Sequence, residues 1–193
     1  SIASTVTVTP INDAPTLSAT ASNPTFTEGS GSGVQGSAVS VFSGASVSTV
    51  EAGQTIAGLT FTVSGVVDGT NEKIIVDGTT LTLSSGSTGT TQTNGLSYSV
   101  TFNGTNKVST VVLSGGSLTA SAAQTLVNGI QYQNTSLDDP TSGSRVVTLT
   151  QLVDSGSNVA PNSNTATLSI ASTVTVTPIN DAPTLSATAS NPT

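Results

Sequence analysis

The chain has 193 residues, only 7% of them charged, and its ten acids against three bases (Lys73, Lys107, Arg145) leave a net charge of -7. So few cations exclude a basic face for nucleic acid or anionic lipid. With neither cysteine nor histidine, disulfides, thiolate metal centres and the usual nucleophilic triads are excluded, and no apolar run approaches the roughly 18 residues of a membrane span.

Alternation with period two runs through the chain and predicts half-buried strands. In order these are TVTVT (5–9), AVSVF (38–42), LTFTV (59–63), TLTL (80–83), LSYSVTF (96–102), VSTVVL (108–113), RVVTLTQL (145–152) and TATLSI running into TVTVT (165–177). Turn chemistry separates them: GSGSG at 29–33, Asp-Gly pairs at 68–69 and 77–78, Asn-Gly at 94–95, NGTN at 103–106 and SGG at 114–116. LSYSVTF, NGTN and KVSTVVL together predict a hairpin. One stretch, 118–132, has a helical period instead, with Leu118, Ala122, Ala123 and Leu126 on one face. Thr119 or Ser121 is its N-cap and Asn128-Gly129 its stop.

The pattern predicts an all-β fold, a Greek-key, cadherin- or Ig-like β-sandwich of about seven to nine strands with one short helix. The expected core comprises Val41, Phe42, Leu59, Phe61, Val63, Ile75, Leu81, Leu83, Tyr98, Val100, Phe102, Val111, Leu113, Leu126, Ile130, Tyr132, Val147, Leu149 and Leu168. Each such side chain is worth about 1.5–3 kcal/mol when buried, so no disulfide is needed.

Residues 1–25 recur letter for letter as residues 169–193, an offset of 168 residues. Convergent packing would tolerate swaps among apolar residues, so identity on this scale means copying. The period suits one domain and is too long for a solenoid repeat. The expected division is residues 1–11 as the last strand of a preceding repeat, 12–179 as one complete module, and 180–193 as linker and first strand of the next. The stretches 1–11 and 184–193 should lack their natural partners, and so fray or pair with a neighbouring molecule.

At 6–17 and again at 174–185 the sequence reads VTVTPINDAPTL, a strand followed by Asn-Asp-Ala-Pro. This resembles the junction of cadherin-like modules, whose linkers carry Asp-x-Asn-Asp-Asn-x-Pro. Glu28 stands about where those modules place a calcium-binding glutamate. LVNGIQYQN with acids shortly after it is similar to chondroitin sulfate proteoglycan and related repeats, and QLVDSGS resembles their final loop. As a whole the chain resembles the extender repeats of giant bacterial repeats-in-toxin adhesins, which type I systems export and which take part in cell adhesion and biofilm. It departs from the linker pattern at Pro178 and Ala182, and Ser48 and Glu51 stand where an Asp-x-Asp pair would, so fewer calcium ions than the family's three per junction are expected.

The resemblance implies Ca2+ at two ends of the module. Glu28, Asp138 and Asp139 would gather near Asn180 and Asp181, and Asn12, Asp13, Glu51 and Asp154 would lie at the opposite end. Calcium needs six to eight oxygens, so each set is completed only by a neighbouring repeat. The residues alone leave an alternative open: Asn-Asp-Ala-Pro as an Asx turn that breaks the strand, with Pro183 fixing the exit angle. Asp68, Glu72 and Asp77 read as turn acids, whereas the adjacent pair Asp138-Asp139 calls for a cation or water to relieve its repulsion.

With no Trp and two Tyr to line a sugar platform, a carboxylate glycosidase is not expected, so the chain is read as no enzyme. The implied function is a spacer, a monomeric module whose partners are calcium and identical neighbouring repeats. It would be extracellular, on the bacterial surface, without membrane insertion. The alternative is a binding module that presents Thr5, Thr7, Thr9 or Thr60, Thr62 to glycan or ice.

Overall fold

A computed structural model describes residues 2–31, 33–84, 86–182 and 185–188. The chain is mostly β, with thirteen strands and one α-helix among the described residues: β1 (Thr16–Ala21), β2 (Thr25–Thr27), β3 (Val39–Ser40), β4 (Phe42–Ser48), β5 (Ile56–Ser64), β6 (Glu72–Val76), β7 (Thr79–Thr82), β8 (Ser87–Thr90), β9 (Ser97–Asn103), β10 (Val108–Ser114), α1 (Ala120–Asn128), β11 (Gln131–Asn134), β12 (Gly143–Asp154) and β13 (Thr165–Thr177). Seven strands form one sheet in the order β2-β13-β12-β5-β10-β9-β8, four form another as β3-β11-β6-β7, and β1 pairs with β4. All pairings are antiparallel except that of β2 with β13.

The strands outnumber the seven to nine expected because several are too short, or too interrupted, to show an alternating stretch. β2, β3, β8 and β11 have two to four residues each. β6 opens on Glu72 and Lys73, which reads as a loop until Glu72 is seen to face inward.

Turn chemistry fixes the hairpins. Asp77 and Gly78 both adopt left-handed backbone (φ 50° and 74°), so β6 and β7 meet in the two-residue turn whose twist matches that of the strands. Between β9 and β10, Asn103 Oδ1 accepts from the Thr105 and Asn106 amides (3.0 and 3.3 Å), and Lys107 takes φ 56°. The expected hairpin forms there with Asn103 opposite Val108.

The core draws on both larger sheets, as in a β-sandwich. Leu59, Phe61, Val63, Val100, Val111, Leu113, Val147 and Leu149 are buried on the seven-stranded sheet, and Ile74, Val76, Leu81 and Tyr132 on the four-stranded one. A bulge between Leu149 and Gln151 lets Leu149 and Leu152 both point inward despite their odd spacing. Ser109 Oγ donates to the Leu83 carbonyl and joins the two sheets within the core.

Ile75 does not join this core. Glu72, Ile74 and Val76 share the inward face of β6, which leaves Ile75 half-buried on the other. Tyr98, Phe102 and Leu168 pack at the margin, half-buried.

The helix is capped by Thr119, whose hydroxyl accepts from the Ala122 amide at 3.1 Å. It buries Ala123, Leu126 and Val127, while Ala122 is only half-buried. Gly129 ends it without left-handed geometry (φ -85°), and Asn128 Oδ1 ties its last turn to the Ala45 amide of β4 at 2.9 Å.

The two copies of the repeated sequence fold in complementary halves. TVTVT at 5–9 forms no strand and is exposed, whereas the same letters at 173–177 end β13 between β12 and β2. TLSATA at 16–21 is β1, while Leu185–Thr188 of the second copy are exposed and form no strand. Strand formation here follows from an available partner, not from propensity. Pro183, Thr184 and residues 189–193 lie outside the described residues, and with them the expected exit angle and most of the next first strand.

Candidate functional site

The two copies of Ile-Asn-Asp lie at opposite ends of β13, whose thirteen residues at roughly 3.3 Å each span about 40 Å. At the entry end, beside the β12–β13 loop, Asn12 is buried. Its Nδ2 donates to the Ser157 and Ser163 carbonyls (3.2 and 2.6 Å), its amide donates to Asn162 Oδ1 (2.7 Å), and its Oδ1 accepts from Gln54 Nε2. Three of these bonds run to residues some 150 positions away and the fourth to Gln54, 42 positions on, so the side chain does not close a local Asx turn. Gly156 is required beside it, because a Cβ there would collide with the Asn12 amide.

Asp13 is exposed and donates its amide to Glu51 Oε1 at 3.0 Å. Asp154, the last residue of β12, is buried. Its Oδ1 accepts from the Gly156 amide at 2.7 Å. The sequence-derived set Asn12, Asp13, Glu51 and Asp154 is thus gathered at this end, with Gln54 as a member that spacing alone did not reveal.

At the exit end Glu28 is buried, 3% exposed, and its Oε2 accepts from the Ile179 amide at 2.9 Å. Asp181 Oδ1 accepts from the Gly31 amide, also at 2.9 Å, and Asn180 is exposed. Asp138 and Asp139 are exposed on the loop before β12, and no hydrogen bond among the described residues joins them to Glu28, Asn180 or Asp181. That loop is held elsewhere, by the Thr141 amide donating to the Asp68 carboxylate at 3.1 Å.

Four buried side-chain polar atoms among the described residues have no partner: Glu28 Oε1, Glu51 Oε2, Gln54 Oε1 and Asp154 Oδ2. All four are oxygens, and all lie at these two ends. An unpaired buried acceptor costs on the order of 1–3 kcal/mol, more when charged. Such oxygens suit a hard divalent cation, whose ligands are carboxylate and amide oxygens. Among the described residues no three carboxylates converge to hold a metal by themselves. Each end therefore presents a partial oxygen set that further oxygens would have to complete.

A second charged cluster has a different character. Arg145, the only arginine, projects from β12 into the interior, where Nε donates to Glu72 Oε1 and Nη2 reaches Asp68 Oδ2 at 2.9 Å. Tyr132 Oη donates to Glu72 Oε1 at 2.9 Å, the Val67 amide to Glu72 Oε2 at 2.8 Å, and Asn134 Nδ2 to Asp68 Oδ2 at 2.6 Å. Asp68 and Glu72 are thus more than turn acids: they tie the 66–72 loop, β11 and β12 together. Asp77 does sit in the β6–β7 turn, but its carboxylate is buried and likewise reaches another loop, accepting from Thr91 Oγ1 and from the amide and side chain of Asn94. The signal for the Arg145 cluster lay in phase: Arg145 alternates with Val147 and Leu149, and Glu72 with Ile74 and Val76.

Burial opposes the Arg145 charge, but the hydrogen bond and negative charge of Glu72 hold the guanidinium above its ordinary value. Burial, and then the Glu72 charge, push the Tyr132 phenol well above its own. A raised folded value favours the neutral phenol, so its contribution is complete below the unfolded value of about 10 and is lost as pH rises beyond it. Urea midpoints should therefore fall between about pH 9 and 11, and less steeply in Tyr132→Phe. Equal slopes in the two proteins would show that Tyr132 does not govern the loss.

No helix among the described residues is long and apolar enough to cross a membrane. Comparisons with protein-family models, curated proteins and solved structures found no match for this chain.

Proposed function

We propose that the chain is a spacer unit of a tandem array, a Greek-key module of cadherin- or Ig-like type whose joints are stiffened by Ca2+. The observation that carries this reading is the complementarity of the two Ile-Asn-Asp copies. The second copy bonds backward, through the Ile179 amide and Asp181 Oδ1. The first bonds forward, through the Asn12 amide and side chain and the Asp13 amide. No atom position serves both sets, so one linker between two modules could make all of them at once. The same linker would bring the unpaired oxygen of Glu28 from one module towards those of Glu51, Gln54 and Asp154 from the next.

A copied module with engaged linkers suits a function in which reach matters, such as holding a binding domain away from a bacterial surface, without catalysis. The test is a calcium titration of two linked modules by scattering and thermal melting. Extension and a raised Tm, both abolished by Asp181→Ala in the linker, are expected. Indifference to calcium and to chelator would overturn the joint.

One observation favours the alternative of a binding face. Thr101, Thr110, Thr62 and Thr148 stand side by side across four neighbouring strands, so a hydroxyl row crosses the sheet and does not merely follow one strand. Neighbouring strands twist by about 20–25°, however, which turns the row away from a flat lattice. Retention on ice or on a glycan array by this chain, lost in Thr62→Val with Thr110→Val, would promote it over the spacer.

A further inference from the structure

The second strand and the last run side by side in the same direction. In the parallel pair of β2 and β13, Thr25 lies opposite Thr175, Phe26 opposite Val176 and Thr27 opposite Thr177. Further bonds extend this ladder both ways. Above it, the Asn23 amide donates to Ser172 Oγ (3.1 Å), Asn23 Oδ1 accepts from the Thr173 amide (2.9 Å), and the Thr175 amide donates to the Pro24 carbonyl (3.0 Å). Below it, the Glu28 amide donates to the Thr177 carbonyl (3.1 Å), and the Ile179 amide to Glu28 Oε2 (2.9 Å). Residues 23–28 are thus bonded along their length to residues 172–179. Asn23 takes left-handed backbone (φ 44°) to begin this run.

The direction of load follows from where the chain enters and leaves. Asn12 is fixed beside the loop that precedes β13, and Ile179 lies just past its end. Tension between these points draws β2 towards its own N-terminal end and β13 towards its C-terminal end. In a parallel pair those are opposite slides along one ladder, so the evenly spaced bonds are strained together. Peeling would break them one at a time. β1 is also pulled lengthwise, along its register with β4 from Thr16–Ser48 to Ala21–Phe42. Phe26 locks the slide: its ring is buried edge-on against Tyr132 at 5.7 Å and must leave the core before β2 can move.

We propose that the module is a tension-bearing unit whose resistance to end-to-end force comes from a shear clamp between residues 23–28 and 172–179. The clamp itself needs no cation, although its direction of pull presupposes the array proposed above. Forced unfolding reads an unfolding rate and not the equilibrium stability, so the direction of pull is itself the test.

The chain has no cysteine, so thiol handles can be placed without background. Single-molecule pulling of the full chain in chelator would compare two handle pairs. Thr9→Cys with Ala182→Cys loads the clamp in shear, and Ser30→Cys with Ala182→Cys peels it from its open end. At equal force the sheared chain should unfold at least about tenfold more slowly. Asn23→Ala, at the far end of the clamp from Ser30, should speed shear unfolding while leaving the onset of peeling unchanged. Equal rates in the two directions, or an Asn23→Ala effect of the same size on both, would overturn the clamp. If Asn23→Ala fails to fold, the two handle pairs in the otherwise unaltered chain decide alone. Chelator separates the outcomes, because a chain indifferent to calcium sinks the joint without touching the clamp.

Discussion

Arg145→Ala is expected to lower the folding stability by about 3–5 kcal/mol, measured by urea denaturation near neutral pH. The size comes from what is left behind. Glu72 is completely buried and Arg145 is 1% exposed, so removing the guanidinium strands a carboxylate in the interior without its counter-charge. Tyr132 and the Val67 amide still donate to Glu72, but neither carries charge. Glu72→Gln in the same background should recover part of the loss, giving a coupling of about 0.5–3 kcal/mol between the two positions. A local readout separates this cluster from general packing. The Thr141 amide donates to Asp68, which Arg145 holds, so its hydrogen exchange should accelerate more than that of core amides such as Phe61. A loss below about 1 kcal/mol would mean that Glu72 finds another way to discharge its burial cost.

The same cluster marks the limit of what the sequence disclosed. Alternation located β5, β9, β10, β12 and β13, because a strand with one face in the core must repeat every second residue. It also located the hairpin at Asn103–Val108 and the capped helix after Thr119, where local side chains hold the backbone. Ile75 was misplaced because residues 72–76 showed no alternating stretch to set its phase, and the reason Glu72 faces inward lies 73 positions away on β12. Short partners such as β2 and β11 carry no period of their own. They form because an edge is open beside them, as the unlike fates of the two TVTVT copies show.

The candidate sites divide along the same line. Asn12, Asp13, Glu51 and Asp154 lie at one end, and Glu28 and Asp181 at the other, each accepting from a backbone amide beside its counterpart. Gln54 was invisible, since nothing in its flanking letters distinguishes a loop glutamine that grips Asn12 from one in solvent. Asp138 and Asp139 drew notice as an adjacent acid pair, yet both are exposed on a loop tethered to Asp68.

Glu28→Gln should change sign of effect with calcium, which no purely structural role of the carboxylate would produce. In chelator the unaltered chain carries Glu28 Oε1 buried and unpaired, at a cost on the order of 1–3 kcal/mol. The amide removes that charge and still offers an oxygen to the Ile179 amide, so the variant should be as stable as the parent or up to about 1 kcal/mol more stable. With calcium the order reverses. A cation bound only by the folded joint stabilises it by about 2.7 kcal/mol at a hundredfold excess over Kd, and a neutral amide is a poorer ligand than a carboxylate. Two linked modules carrying Glu28→Gln should therefore lose most of the calcium-dependent rise in Tm. A variant less stable than the parent in both conditions would show that the Glu28 carboxylate serves the fold alone, through Ile179, and that its second oxygen is not reserved for a cation.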